Sequence, residues 1–474
     1  MLSGQTVEFT ASAEDIDGSI TNYTWDFGDN TYGYDRTVIE HTYEKSGVYS
    51  VTLTVTDDCG ATNSSTQTEC VIVADVFVDD SYPFDIPSQH KWKGLQSGID
   101  DAATRDGILF VFNGDYARST VENPVTIIGE SMEGVKLSPA GGLMPCTGIL
   151  IQADNVTIRN FNVTNCTVGI KVENRALGNV TVESCKILGC YYGVIIDNST
   201  NCIVQDCVFI GNNIGVYLND ASSTLFRRSA ISNTQYGIYL EDSSGNWIGS
   251  PPVYDWYPTD CTFTYCDYGI YLYGSDNNFI IGCAINGTPH WEMPETMTTG
   301  IYLDTSHYNT ISTCYIHGTT DKGVFLSAAA YNKIDHCKIV DNPYGIKLSG
   351  SLTAHNLICQ NNISCNTYYA LYIPSEAGEN RIVYNDFIDN GNGLTSQSWD
   401  ANGRSGQENV WCKSEAPLLT VTADGEGNYW SDYTGEDLNE DGVGDTPYVI
   451  VSGRVWREDT YPLMRPYGWC ADWE

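Results

Sequence analysis

The nine residues DLNEDGVGD (437–445) set oxygen ligands at alternate positions: Asp437, Asn439 and Asp441, then the Val443 carbonyl and Asp445. Gly442 allows the sharp turn between them, and hard oxygen donors at this spacing suit calcium. The twelfth position is Tyr448 instead of Glu, so the bidentate ligand is missing or comes from elsewhere. The expectation is a calcium site of the weak extracellular kind, with Kd of about 10⁻⁴–10⁻³ M. The plainer alternative is an acidic turn that holds no metal.

Two other stretches gather aromatic rings beside acids, SPPVYDWYPT (250–259) and TPHWEMPETMTT (288–299). Tyr254, Trp256, Tyr257 and Trp291 suit the apolar faces of sugar rings. Asp255, Glu292 and Glu295 are weak candidates for the paired carboxylates of glycoside chemistry. The alternative is that these loops pack on each other or on a neighbouring subunit. His290, Met293 and Met297 form a short cluster of soft ligands. With six Met and seven His in the whole chain, copper is the minor reading.

These stretches interrupt a repeat. GIYL occurs at 237–240, 269–272 and 300–303, and the repeat glycine recurs at Gly148, Gly169, Gly193, Gly215, Gly237, Gly269, Gly300, Gly323 and Gly345, then Ala370 and Gly393. Most steps are about 22 residues, with short β-prone bursts and no helix-length periodic run. Such a unit is one coil of a parallel β-helix, and about ten coils stacked at roughly 4.8 Å give a rod on the order of 50 Å long. Alternation along the strand points Tyr217, Tyr239, Tyr271, Tyr302 and Phe325 outward on consecutive coils. That stripe is either mutual ring support or a partner surface.

Nine of the 17 cysteines fall into two further columns. One lies three residues before the glycine: Cys166, Cys190, Asn212, Thr234, Cys266, Thr320, Asn342, Thr367 and Asn390. The other holds Cys185, Cys207, Ser229, Cys261, Cys283, Cys314 and Cys337. Small side chains filling inward corners as thiol ladders explain both better than a metal array. Some disulfides between coils are the second reading.

A net charge of -37 disfavours nucleic acid and anionic membranes as partners. No run of about 18 apolar residues occurs, so no membrane span is expected. No signal peptide is read, and Met1 runs straight into strand-like sequence, so the start is expected to be a processing site or a clipped end.

Residues 1–75 alternate as sandwich strands. WDFGD (25–29) with HTYEKSGVYSVTLTVTD (41–57) resembles the polycystic-kidney-disease-type (PKD) domain, an Ig-like sandwich, here expected to lack its first strand. The resemblance implies an extracellular spacer or adhesion module. Cys59 and Cys70 bracket ATNSSTQTE, a plausible hairpin loop, and a disulfide between them is expected, against two unpaired surface thiols.

Residues 76–474 resemble the right-handed β-helix family shared by carbohydrate-active enzymes and NosD-like periplasmic proteins. The segment 76–145 is expected to supply an N-terminal cap, with Leu95, Ile99, Ala102 and Ala103 on one helical face, before coils at 146–426. Residues 427–474 match the C-terminal cap of sequences of this type, many of them archaeal and surface-exposed. The Gly-His-Gly and Asp-Pro-His-Asp signatures of the family's enzymes are absent; TPHW (288–291) is the nearest string. The expectation is therefore an extracellular structural or adhesive rod. It contacts glycans or other surface proteins and forms a homo-oligomer, S-layer or filament. A polysaccharide lyase, hydrolase or epimerase is the alternative, and NosD-like copper handling comes third.

Overall fold

The computed structural model describes residues 1–105, 107–138, 146–250, 260–287, 297–392, 396–402, 408–412, 427–450 and 457–467. The chain is nearly all β, an N-terminal sandwich followed by a right-handed parallel β-helix.

In the sandwich, strands Ile20–Asp26, Tyr32–Tyr34, Gly47–Asp57 and Thr62–Val73 form one antiparallel sheet, and Thr6–Thr10 pairs with Val38–Thr42 in the other. The WDFGD string folds for identifiable reasons. Trp25 and Phe27 point into the core with Tyr43, Val51, Val71 and Val73. Asp26 accepts the Gly28 N–H at 2.9 Å, and Asp29 binds His41 at 2.7 Å. Gly28 has a φ of +78°, and a Cβ there would lie 2.4 Å from the Ser50 carbonyl oxygen.

The expected Cys59–Cys70 disulfide does not form. The turn is shorter than its composition implies, and Thr62–Val73 is strand almost from its first residue. Pairing of Thr56 with Thr62 and of Tyr49 with Val71 puts Cys59 at the hairpin tip and Cys70 near the opposite end. Both thiols are free and exposed.

Helix α1 (Leu95–Ala103) closes the N-terminal end of the coils with Leu95, Gly98, Ile99 and Ala102 buried. Gly98 takes the place expected for Ala103, because Val78 approaches to 2.2 Å from where a Cβ would stand. Stacking begins before residue 146: Gly114–Tyr116 already pairs in parallel with Val135–Leu137, and Ser119–Val121 with Thr147–Ile151. One face of the rod is a sheet of 14 strands, so it extends about 60 Å along its axis at 4.8 Å per coil. The other two faces merge into one 23-stranded sheet, because strands such as Cys261–Tyr273 run on around a corner.

The repeat glycine is fixed by close approach. From Gly148 to Gly345, a Cβ would lie 2.4–2.6 Å from the carbonyl oxygen of the equivalent residue one coil on. After Ala370 this position passes to Gln397, whose carbonyl accepts the Ala370 N–H, and not to Gly393, which lies outside the described residues.

The thiol columns are buried as expected, with a shift of one residue. The corner column passes through Met297, Thr319 and Asn366, and the expected Thr320 and Thr367 lie beside it. Its neighbour runs from Cys185 to Cys337 and continues through Asn361, Asn385 and Asn428. A third inward column went unrecognised in the sequence: Asn246, Asn278, Asn309, Asn332, Asn356, Asn380 and Asn409. Each amide oxygen accepts a backbone N–H from the preceding coil, which satisfies corner groups that no strand pairing reaches.

Candidate binding face

The strands carrying the repeat glycine put three columns on the outside of the rod. The central one is in register across coils: Tyr217 opposite Tyr239, then Tyr271, Tyr302, Phe325, Lys347, Tyr372 and Trp399. Its rings are half-buried and tilted on one another. Centroids are 5.3 Å apart for Tyr217–Tyr239, 4.9 Å for Tyr239–Tyr271 and Tyr271–Tyr302, and 4.7 Å for Tyr302–Phe325.

The residue just before the repeat glycine, or before Ala370, builds a second column that the sequence reading missed: Tyr192, Ile214, Tyr236, Tyr268, Thr299, Lys322, Tyr344 and Tyr369. Tyr236 and Tyr268 stack at 5.1 Å and 10°. The signal lay in the sequence, since Tyr precedes the repeat glycine four times and Ala370 once.

The third column, two residues beyond the central one, holds an acid at half its positions: Glu173, Asp197, Asn219, Glu241, Tyr273 and Asp304, then Ser327 and Ser349. Tyr217 donates its hydroxyl to Glu241, and Tyr271 donates to Asp304 at 3.4 Å. Burial and then the nearby Glu241 charge push the Tyr239 phenol up to about 12. Tyr217 and Tyr271 are raised too, by burial first and by Glu241 and Asp304 respectively. These phenols therefore stay protonated and donate, while the carboxylates offer acceptors over an apolar strip. Alongside, Tyr191, Asn213, Gln235 and Asp267 line a corner groove of about 580 Å³.

The two inserted loops lie outside the described residues, and with them Tyr254, Asp255, Trp256, Tyr257, His290, Trp291, Glu292, Met293 and Glu295. Their roots are described. The first loop leaves after Gly249 and returns at Asp260, ahead of Cys261–Tyr273. The second leaves at Gly287 and returns at Met297, directly before Thr299–Asp304. They thus root at opposite edges of one face, and the second borders the tyrosine columns. Thr298 donates from both its N–H and its hydroxyl to the Asp267 carbonyl there, at 2.9 and 2.7 Å.

Loop 437–445 curls on its own side chains. Asp437 accepts from the N–H groups of Asp441 and Gly442, Asp441 from Val443, and Asp445 from Leu438. Gly442 takes the left-handed turn at φ +88°. Tyr448, at the twelfth position, stacks on Trp430 at 4.1 Å and supplies no ligand. Copper would need His or Met donors that converge. Six of the seven histidines are described, and each already has its own partner: His41, His90, His317, His336 and His355 have carboxylates, and His307 accepts the Ala330 N–H. Met297 is sealed in the core. Among the described residues these side chains do not gather into a copper site.

The chain resembles known proteins in parts. It is 27% identical over 153 residues to a probable ABC transporter binding protein NosD of Pseudomonas aeruginosa, covering 32% of this chain and 25% of that protein. It is 37% identical over 87 residues to the collagenase ColQ1 of Bacillus cereus, covering 18% of this chain and 9% of that protein. The chain therefore spans a quarter or less of the length of these curated relatives. Among solved structures, the A-module of the mannuronan C-5 epimerase AlgE6 from Azotobacter vinelandii shares the fold, with a TM-score of 0.51 and 15% identity over 67% of this chain and 92% of that one. The PKD domain profile matches residues 1–73. The profile described as periplasmic copper-binding protein (NosD) matches 113–292 and 254–435. Since those two matches together take in well over half of the sequence, the chain belongs to the NosD family of β-helical proteins and carries a PKD domain ahead of its coils.

Proposed function

We propose that this protein is an exported structural and adhesive rod that contacts glycans through the tyrosine–carboxylate face. The observation that carries the reading is the outward column Tyr217, Tyr239, Tyr271 and Tyr302, flanked by Glu241 and Asp304. An apolar strip edged by fixed hydrogen-bonding groups matches a sugar chain, whose residues alternate apolar C–H patches with hydroxyls. Export is supported by the periplasmic description of the family and by the PKD domain. A glycan array with the intact protein tests the reading. Binding should appear on the array and fall at least tenfold in Tyr239→Ala/Tyr271→Ala, a loss of about 1.4 kcal/mol or more. An empty array, or one that the double variant leaves unchanged, sinks the proposal.

Loop 437–445 is proposed as a weak calcium site that stiffens the C-terminal cap, with Asp437, Asn439, Asp441, the Val443 carbonyl and Asp445 as its oxygen donors. A catalytic reading on polysaccharide is favoured by one observation, that the loop holding Glu292 and Glu295 roots at the edge of the tyrosine face. Turnover on a polysaccharide panel that vanishes in Glu292→Gln or Asp255→Asn would replace adhesion by catalysis.

A further inference from the structure

One stretch of the outer face departs from its acidic surroundings. Where the third column changes from Glu241 and Asp304 to Ser327 and Ser349, the other two columns bring in Lys322 and Lys347. Lys322 pairs with Asp321, and its ammonium lies 4.9 Å from the Phe325 ring centroid. Lys347 makes no ion pair among the described residues. It sits between Phe325 and Tyr372 in register, with its ammonium 4.6 Å from the Tyr344 ring centroid and 5.4 Å from that of Tyr372.

In a chain with 60 acidic and 23 basic residues, Lys347 is a half-buried cation held over two rings and open to a charge-assisted contact with an outside anion. Burial first, and then the neighbouring Lys322 ammonium, work against holding charge on Lys347, and Asp321, which pairs with Lys322, offsets them only in part, so a carboxylate bound at Lys347 itself would favour its charged form. The neighbouring rings restrict which anion fits, because they offer apolar contact to whatever carries it. Tyr302 lies two coils away, about 10 Å along the axis, a span that a disaccharide covers.

We propose that Lys347, with Lys322, Phe325, Tyr344 and Tyr372, forms a subsite for one uronic acid residue in an otherwise neutral glycan. The inference rests on the glycan-binding reading above and names the sugar class. The uronate carboxylate meets the Lys347 ammonium while its ring lies against the aromatic side chains, and Lys322 stays paired with Asp321. Neutral residues continue over Tyr302, Tyr271 and Tyr239, where hydroxyls donate to Asp304 and Glu241. A polyuronate is a poor fit, because its next carboxylates would face those same acids.

The test is calorimetric titration of the full chain in chelator-containing buffer, so that no bridging calcium carries the carboxylate. Four probes of equal length are compared: a neutral oligosaccharide, the same chain with one glucuronate, the same chain with one sulfate ester, and an oligoglucuronate. The single-uronate probe should bind about tenfold more tightly than the neutral one, as one charge-assisted contact allows. The oligoglucuronate should lose that gain. Lys347→Met should bring the acidic-to-neutral ratio to about one, and Lys347→Arg should keep it above one. If neutral and acidic probes bind equally, the subsite is wrong while the binding face stands. If the gain survives Lys347→Met, the carboxylate binds elsewhere and the proposal fails. A preference for the sulfate ester overturns the uronate assignment. If no probe binds, both readings fall together.

Discussion

Asn309 illustrates how much a single inward side chain does in a stacked fold. Its amide oxygen accepts the Asn278 N–H at 2.8 Å, and its amide nitrogen donates to the Ser275 carbonyl at 2.9 Å. Asn309→Ala removes both partners inside a dry corner, leaving a donor and an acceptor unsatisfied. The expected loss is about 2–4 kcal/mol, read as a lowered unfolding midpoint in denaturant. A loss within experimental error would mean that the corner admits water. Asp459 carries a different prediction. Burial pushes its carboxyl up to about 6 from an ordinary 3.8, against hydrogen bonds from Trp430 and Asn428 that favour the charged form. Folding therefore favours the protonated acid. The stability this contributes is complete below pH 3.8 and is lost as pH rises through 6, an effect of about 3 kcal/mol at most. Thermal melts across pH 4 to 8 should show the loss, and Asp459→Asn should reduce it, leaving the part carried by Asp386, whose carboxyl burial also pushes up to about 6. Asp206 acts in the opposite sense, since its bond to Arg228 lowers its pKa, so stability also falls as the solution becomes more acid than an ordinary carboxyl.

At the scale of elements, the hairpin and the thiol columns make separable predictions. Cys59, Cys70 and Cys365 are exposed, whereas the cysteines from Cys166 to Cys337 are buried among stacked coils. A thiol reagent should modify only a few groups in the native protein and the remainder on unfolding, counted by mass spectrometry. Rapid native labelling of Cys283 or Cys314 would contradict the closed core. Loop 437–445 predicts heat on titration with millimolar calcium, abolished in Asp441→Ala; a flat titration removes the calcium proposal. The repeat was legible in the sequence because the glycine close approach and the alternating Ile, Val and Leu recur at a nearly fixed period. Registers at the corners were not, because one residue more or less before Gly323 or Ala370 moves the inward position from Thr320 to Thr319 and from Thr367 to Asn366. The Asn ladder was hidden for a related reason: Asn is the ordinary residue of exposed turns, and nothing local says that these turns face inward. The Cys59–Cys70 pairing failed because a polar Ser/Thr run looks like a loop, although β-branched Thr also suits an exposed strand.

For the whole molecule, a stack of coils buries its core only if both ends are closed. The N-terminal end is closed by α1, and the C-terminal end by residues 427–450 and 457–467. There Trp430 stacks on Phe387 at 4.4 Å, Asn428 continues the corner ladder from Asn385, and Asp459 ends it. Removing residues 427–474 would uncover Phe387 and leave strand Asp386–Ile388 without its partner Tyr429–Trp430. The other end stays covered, so an uncapped rod has one sticky end. Two such rods can join end to end about a two-fold axis, since the same surface serves on both. A third has nowhere to add. The truncated chain should therefore sediment at twice the mass of its protomer and stop there, and it should keep its β-sheet circular dichroism. Growth into long fibres would show that the N-terminal end is also open. A truncated chain that sediments as a single protomer would show that the coils before residue 427 close the core unaided.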